Sequence, residues 1–171
     1  MTVFATLTPS ALDRAGFVQA FADVYEHSPW VAERVFEQGI FAADDHIEHL
    51  HARMADVVLN ADHERQLALI NAHPDLAGKA AVRGKLTAAS TSEQAGAGIQ
   101  DCVPEEFTRF TALNAAYKAR FGFVFIMAVK GSNRRQILAA FEERLHNTPE
   151  QEFARALAEI NRIALFRLQA L

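Results

Sequence analysis

Three times in this chain a hydroxyl residue stands directly before a proline, at Thr8-Pro9, Ser28-Pro29 and Thr148-Pro149. A hydroxyl oxygen can accept a backbone N–H at the start of a helix, and proline suits the first helical position because it leaves no N–H unpaired there. Each pair is therefore expected to open a helix. After the last of them, Glu150 and Gln151 offer a capping box, and Phe153, Leu157, Ile160, Ala164 and Leu168 recur at helical spacing. A terminal helix packed on the core follows.

Further helices are expected from about Asp44 to Leu59, about Asp62 to Ala72, from near Ser90, about Pro104 to Phe121 and about Asn133 to His146, with Gly39 and Gly122 suited to helix ends. The exception is Phe123 to Val129, seven consecutive apolar residues. A lone strand would have no partner in a helical chain, so a buried extended connector or a helix start is expected there. The fold class is all-α, a single-domain bundle of about eight helices over residues 1–171. At 171 residues, half of them hydrophobic, the chain can bury one sizeable core.

The net charge of −4 is mild and the charges are interleaved, without the basic stripe of a nucleic-acid binder. The amino terminus lacks a charged start followed by an apolar run, and no stretch approaches the roughly 20 apolar residues of a membrane span. One cysteine, Cys102, cannot form an intrachain disulfide and fits a reducing compartment. A cytoplasmic protein without nucleic-acid or membrane partners is expected.

Seven histidines raise the alternative of a helical metal-site protein, because Glu48 with His51 and Glu143 with His146 have the Glu-x-x-His spacing of di-iron bundles. Such ligands must face inward. Glu48 falls off the apolar stripe of Ile47, Leu50, Met54 and Val58, and Glu143 lies nearly opposite Ile137, Leu138 and Phe141. Solvated helix faces are expected for both pairs and for the cluster of His46, His49 and His51, and no metal is assigned.

Chemistry is more at home in His73-Pro74-Asp75-Leu76-Ala77-Gly78-Lys79. Proline at 74 disfavours helical geometry for the residue before it, so the preceding helix should stop near His73 and leave the imidazole at an edge. Such a histidine is either a proton-transfer catalyst or a helix-ending residue bonded to nearby backbone. Downstream, Ser90 and Glu93 have the spacing of a capping box, which does not exclude a ligand site at the same helix start. Arg167, near the end of the last helix, suits the helix dipole and equally a carboxylate or ureido group. Lys79 and Arg83 read as solvated loop charges, and spacing assigns no role to Thr108, Asn114, Tyr117 or Lys118.

Taken together, Tyr25-Glu26-His27-Ser28-Pro29-Trp30, the His73 segment with Ser90, Glu93 and Gln94, the stretch Phe110 to Ile126 and Ala164-Leu165-Phe166-Arg167-Leu168 resemble a known family over nearly the whole chain. It is the 2-oxo-4-hydroxy-4-carboxy-5-ureidoimidazoline (OHCU) decarboxylase family of urate breakdown, whose product is (S)-allantoin. The resemblance implies His73 and Glu93 as catalytic residues and Pro74, Ser90, Gln94, Phe125, Ile126 and Arg167 as substrate-binding ones, with Phe125 and Ile126 acting through backbone groups. It also implies a homodimer, functional coupling to upstream urate-pathway enzymes and a ureidoimidazoline substrate. No pyridoxal phosphate, thiamine or metal motif is recognisable, so cofactor-independent decarboxylation is expected, with a substrate that carries its own electron sink. The chain has Val124 where the family usually has proline, which restores a backbone donor and frees φ. A helical binding module that has lost the activity is the competing class.

Overall fold

The computed structural model describes residues 1–78 and 86–171; Lys79 and Arg83 lie outside them. The described residues are all-α, with eight α-helices, three short 3-10 turns and one isolated bridge between Val3 and His46. They divide into two compact units, Met1–Ala72 with Ile160–Leu171, and His73–Glu159.

The first unit begins with a 3-10 turn, Pro9–Ala11, followed by α1 (Arg14–Phe21), α2 (Trp30–Glu37), a second 3-10 turn (Ala42–Asp45), α3 (Ile47–Leu59) and α4 (His63–Ala72). Only a short turn follows Thr8-Pro9, because Asp13 caps the helix proper by accepting the Gly16 N–H at 2.8 Å. Ser28 does not cap α2 either: its hydroxyl donates to the Glu26 carbonyl at 2.8 Å, and α2 starts at Trp30. Phe17 packs 4.7 Å from Phe21 and 5.5 Å from Phe36 between ring centroids. Tyr25 is buried in the same core and its hydroxyl donates to Asn161 Oδ1 at 2.8 Å; burial pushes the phenol well above its usual pKa.

Helix α3 starts three residues later than its sequence suggests because Asp44 is turned inward. Its carboxylate accepts from the Phe41 N–H at 2.8 Å, from His49 Nδ1 at 2.9 Å and from Arg53 at 2.6 Å. The histidine cluster is therefore not a solvated face. His51 Nε2 bonds the Asn161 carbonyl at 2.7 Å, and His46 Nδ1 is buried. Glu48 accepts the Thr2 N–H at 2.8 Å; its own backbone N–H and then that of Thr2 hold its carboxyl below the usual range, while Glu143 and His146 are exposed. Each Glu-x-x-His pair thus has another setting, and among the described residues no three acidic, His or Cys side chains gather to hold a metal.

The second unit contains α5 (Ala88–Gly96), a 3-10 turn (Ile99–Asp101), α6 (Pro104–Phe121), α7 (Arg134–Arg144) and α8 (Pro149–Gln169) as far as Glu159. Its core is aromatic: the Tyr117 ring lies within 4.5 Å of Phe121, 5.3 Å of Phe125 and 6.3 Å of Phe141, centroid to centroid. Gly122, at φ +79°, ends α6 in the left-handed region that an L side chain rarely adopts. At the start of α8, Thr148 and Gln151 form the expected reciprocal cap, at 3.2 and 2.9 Å. The apolar run Phe123 to Val129 is an irregular connector, with neither strand nor helix. No helix among the described residues is long and apolar enough to cross a membrane.

Candidate active site

Helix α4 ends at Ala72, and His73 follows as the first residue of a tight turn, 8 % exposed. Pro74 prevents a further helical turn, and the Gly78 N–H closes back on the Asp75 carbonyl at 3.3 Å. Ala77 is held at φ +53°, a conformation that costs an alanine roughly 1 kcal/mol. Strain of that kind persists only where neighbours enforce it.

Three side chains do so. The Asn114 amide donates to the Leu76 carbonyl at 2.9 Å, Lys118 pairs with Asp75 at 2.7 Å, and Gln94 Oε1 accepts the buried Ala77 N–H at 3.1 Å. Asn114 and Lys118 are one turn apart on α6, so a single helix face grips two consecutive residues of the turn. Spacing alone assigned a role to neither, although Asn114 belongs to the family pattern. Their four-residue spacing was the available signal, but nothing in the chain tied that face to the His73 segment. Thr108 only bonds the Pro104 carbonyl within its own helix, at 3.0 Å.

Helix α5 supplies Ser90, Glu93 and Gln94, which share a face by their spacing of three and four residues. Ser90 and Gln94 are buried and Glu93 is half-buried. Ser90 and Glu93 do not form a capping box. Thr87, three residues ahead of Ser90, is the cap, and its Oγ1 accepts the Ser90 N–H at 3.2 Å. Ser90 therefore sits one turn inside the helix. Gln94 bonds through its carbonyl oxygen, which leaves its NH₂ as the end that can meet a ligand.

Phe125 and Ile126 are both 2 % exposed. Their side chains belong to the aromatic core, so what this segment can present to a ligand is its peptide groups. The second unit thus gathers Gln94 against the turn that carries His73 and Pro74, with Ser90 and Glu93 on the same helix face. Arg167 belongs to the first unit, where its side chain is 9 % exposed. Its Nη2 lies 2.8 Å from Oε2 of Glu26, and its Nη1 donates to the Asp23 carbonyl at 3.3 Å. It is an anchored guanidinium, not a solvated charge at a helix end.

The sequence matches the model of the family described as OHCU decarboxylase over residues 10–169. A 2-oxo-4-hydroxy-4-carboxy-5-ureidoimidazoline decarboxylase of Haloferax volcanii is 42 % identical over 157 residues, covering 92 % of this chain and 89 % of its own length. A uric acid degradation bifunctional protein of Bacillus subtilis is 39 % identical over 92 % of this chain, which spans 30 % of that protein. Among solved structures, (S)-allantoin synthase aligns with a TM-score of 0.76 at 32 % identity, over 95 % of this chain and 52 % of that one. An OHCU decarboxylase crystallised in the presence of (S)-allantoin shares the fold, with a TM-score of 0.69 at 23 % identity over 86 % of this chain and 93 % of that one.

Proposed function

Since this chain belongs to the OHCU decarboxylase family, we propose that it decarboxylates 2-oxo-4-hydroxy-4-carboxy-5-ureidoimidazoline to (S)-allantoin. The observation that carries the site is the His73–Gly78 turn, strained at Ala77 and pinned by Gln94, Asn114 and Lys118. A turn held at three of its residues supports a defined place for the imidazole at its start.

Loss of carbon dioxide leaves an electron pair on carbon. In this substrate the carbon bearing the carboxylate adjoins a ring imine. The C–C bond breaks, its electron pair passes to the imine, carbon dioxide departs and one proton is taken up overall. The electron sink is therefore supplied by the substrate. His73 performs the proton transfers, a task for which a positioned acid or base contributes roughly 10²- to 10⁴-fold. Glu93 orients His73 or binds the ureido group. Ser90, the NH₂ of Gln94 and Pro74 set the substrate's orientation, peptide groups of Phe125 and Ile126 bind it, and Arg167 supplies a bidentate donor for its carboxylate or carbonyls.

The reading extends to organisation: residues 1–171 act as one catalytic domain, the protein is a cytoplasmic homodimer, and its unstable substrate comes from upstream urate-pathway enzymes. The bifunctional relative supports such coupling. Sedimentation tests the dimer and cell fractionation the location.

The deciding experiment generates the substrate in place from urate and follows the chiral product by circular dichroism, with wild type, His73→Ala and no enzyme. Rapid formation of one enantiomer by the wild type, lost in His73→Ala, is the expected result. Wild-type formation no faster than the spontaneous background would leave the family fold without its chemistry and favour the binding-module reading.

A further inference from the structure

A buried stretch of backbone outside helices and sheets must find its hydrogen bonds elsewhere. In the connector Phe123–Val129 two such bonds come from side chains on α7 and α8. Arg144 Nη1 donates to the Ile126 carbonyl at 2.6 Å, and the Ala128 N–H donates to Glu159 Oε2 at 3.0 Å. These bonds bracket Met127 and fix peptide groups on both of its sides.

Both supporting side chains are themselves held. Arg144 Nε donates to Glu152 Oε1 at 2.9 Å; the same carboxylate accepts from the Tyr117 hydroxyl at 2.5 Å and from the Asn147 amide at 2.9 Å. The Arg144 guanidinium lies 4.3 Å from the centroid of Phe125, whose ring stacks 3.7 Å from that of Phe141. Glu159 is paired with Arg155 at 2.8 Å.

Stability alone is a poor reason for this arrangement. A buried ion pair seldom outperforms well-packed apolar residues of similar volume, and here Arg144 Nη2 is buried and finds no hydrogen-bond partner among the described residues. What the pair supplies and apolar packing cannot is a directional donor at one chosen carbonyl.

We propose that Arg144, oriented by Glu152, and Glu159 are positioning residues that lock the peptide groups of Phe125 to Ala128 in the register the substrate requires. The inference rests on the reading that this backbone binds substrate. Neither side chain touches substrate; each acts through the connector.

The test compares Arg144→Lys, Glu159→Ala and Glu159→Gln with wild type in the in-place assay, with (S)-allantoin affinity by calorimetry and a melting curve for each. Lysine keeps the charge but lacks the fork that spans Glu152 and the Ile126 carbonyl. The amide oxygen of glutamine still accepts the Ala128 N–H. Expected for Arg144→Lys and Glu159→Ala is a rise of roughly tenfold in KM and in the allantoin dissociation constant, with kcat reduced less than about threefold. Glu159→Gln should restore both constants to within about twofold of wild type. Should Arg144→Lys not fold, the Glu159 pair decides. A cooperatively folded Glu159→Ala with wild-type KM and allantoin affinity overturns the proposal. A wild type that forms no allantoin would instead overturn the functional reading on which it rests.

Discussion

Oε2 of Glu26 and Nη2 of Arg167 stand 2.8 Å apart, with the carboxylate 2 % and the guanidinium side chain 9 % exposed. One sits in the Tyr25–Trp30 segment and the other almost at the end of the chain, and their pairing ties α8 to the turn before α2. Removing the cation of a buried ion pair costs about 3–5 kcal/mol. Arg167→Ala should therefore lower the stability of the protein by about that amount in urea unfolding, on top of any loss of substrate binding. A midpoint unchanged from wild type would show that the pair does not hold these segments together. Kinetic constants for this variant have to be expressed per folded molecule.

His73→Ala separates chemistry from folding in the opposite sense. The turn is held by Leu76, Ala77 and Asp75, not by the imidazole alone. The expected outcome is a fall of roughly 10²- to 10⁴-fold in kcat with a folded, cooperatively melting protein. Unchanged steady-state constants would remove His73 from the mechanism.

Gln94 gives a test by isosteric replacement. Its Oε1 takes the N–H of Ala77, a buried residue in the left-handed region. Gln94→Leu leaves that donor unsatisfied, for which a loss of about 1–3 kcal/mol is expected. Gln94→Glu keeps an acceptor and should lose less. Equal losses in the two variants, measured by denaturant unfolding, would mean that packing rather than this hydrogen bond matters.

The helices were legible because their signals are local: Pro104 and Gly122 bracket α6, and Thr148 with Gln151 marks the start of α8. Where local signals misled, a second group competed for the same task. Asp13 caps α1 in place of Thr8, Thr87 caps α5 in place of Ser90, and Asp44 turns inward to Arg53 and shifts the start of α3. The His73 turn was legible from its proline and the family pattern. Its supports on α6 were not, because Asn114 to Leu76 and Lys118 to Asp75 join residues far apart in sequence and leave no periodicity to read.

Acid should weaken the protein through three carboxylates held below their ordinary range. Backbone N–H donation from Val103 lowers Glu106, with Arg134 adding to it; Ser10 lowers Asp45, and backbone donation including Thr2 lowers Glu48. A carboxyl whose folded pKa is depressed contributes stability that is full above its unfolded value, near 4, and is lost as pH falls through the folded value. The melting temperature should accordingly drop between about pH 5 and pH 3. Glu106→Gln should lower the melting temperature at neutral pH and flatten this acid slope. An identical slope in the variant would exclude Glu106 as a contributor.

Gly78 offers the sharpest steric test of whether the turn must keep its shape for catalysis. A Cβ at this position would lie 2.7 Å from Asp75 Cβ and 3.2 Å from the Asp75 carbonyl oxygen. The first distance is shorter than real Cβ contacts and the second is tight, and neither atom is the far end of a flexible side chain, so backbone must move in Gly78→Ala. The turn can open only by shifting Asp75 relative to Lys118, or Leu76 and Ala77 relative to Asn114 and Gln94. Either shift displaces the backbone adjoining His73, and misplacement on the order of 1 Å can cost about 10²-fold in rate. The turn is short and lies outside the helices, so the folded state should survive. The expected result is a protein that melts cooperatively, with kcat/KM reduced roughly 10- to 100-fold. Wild-type kcat/KM in folded Gly78→Ala would show that His73 does its work without the turn being held in this shape.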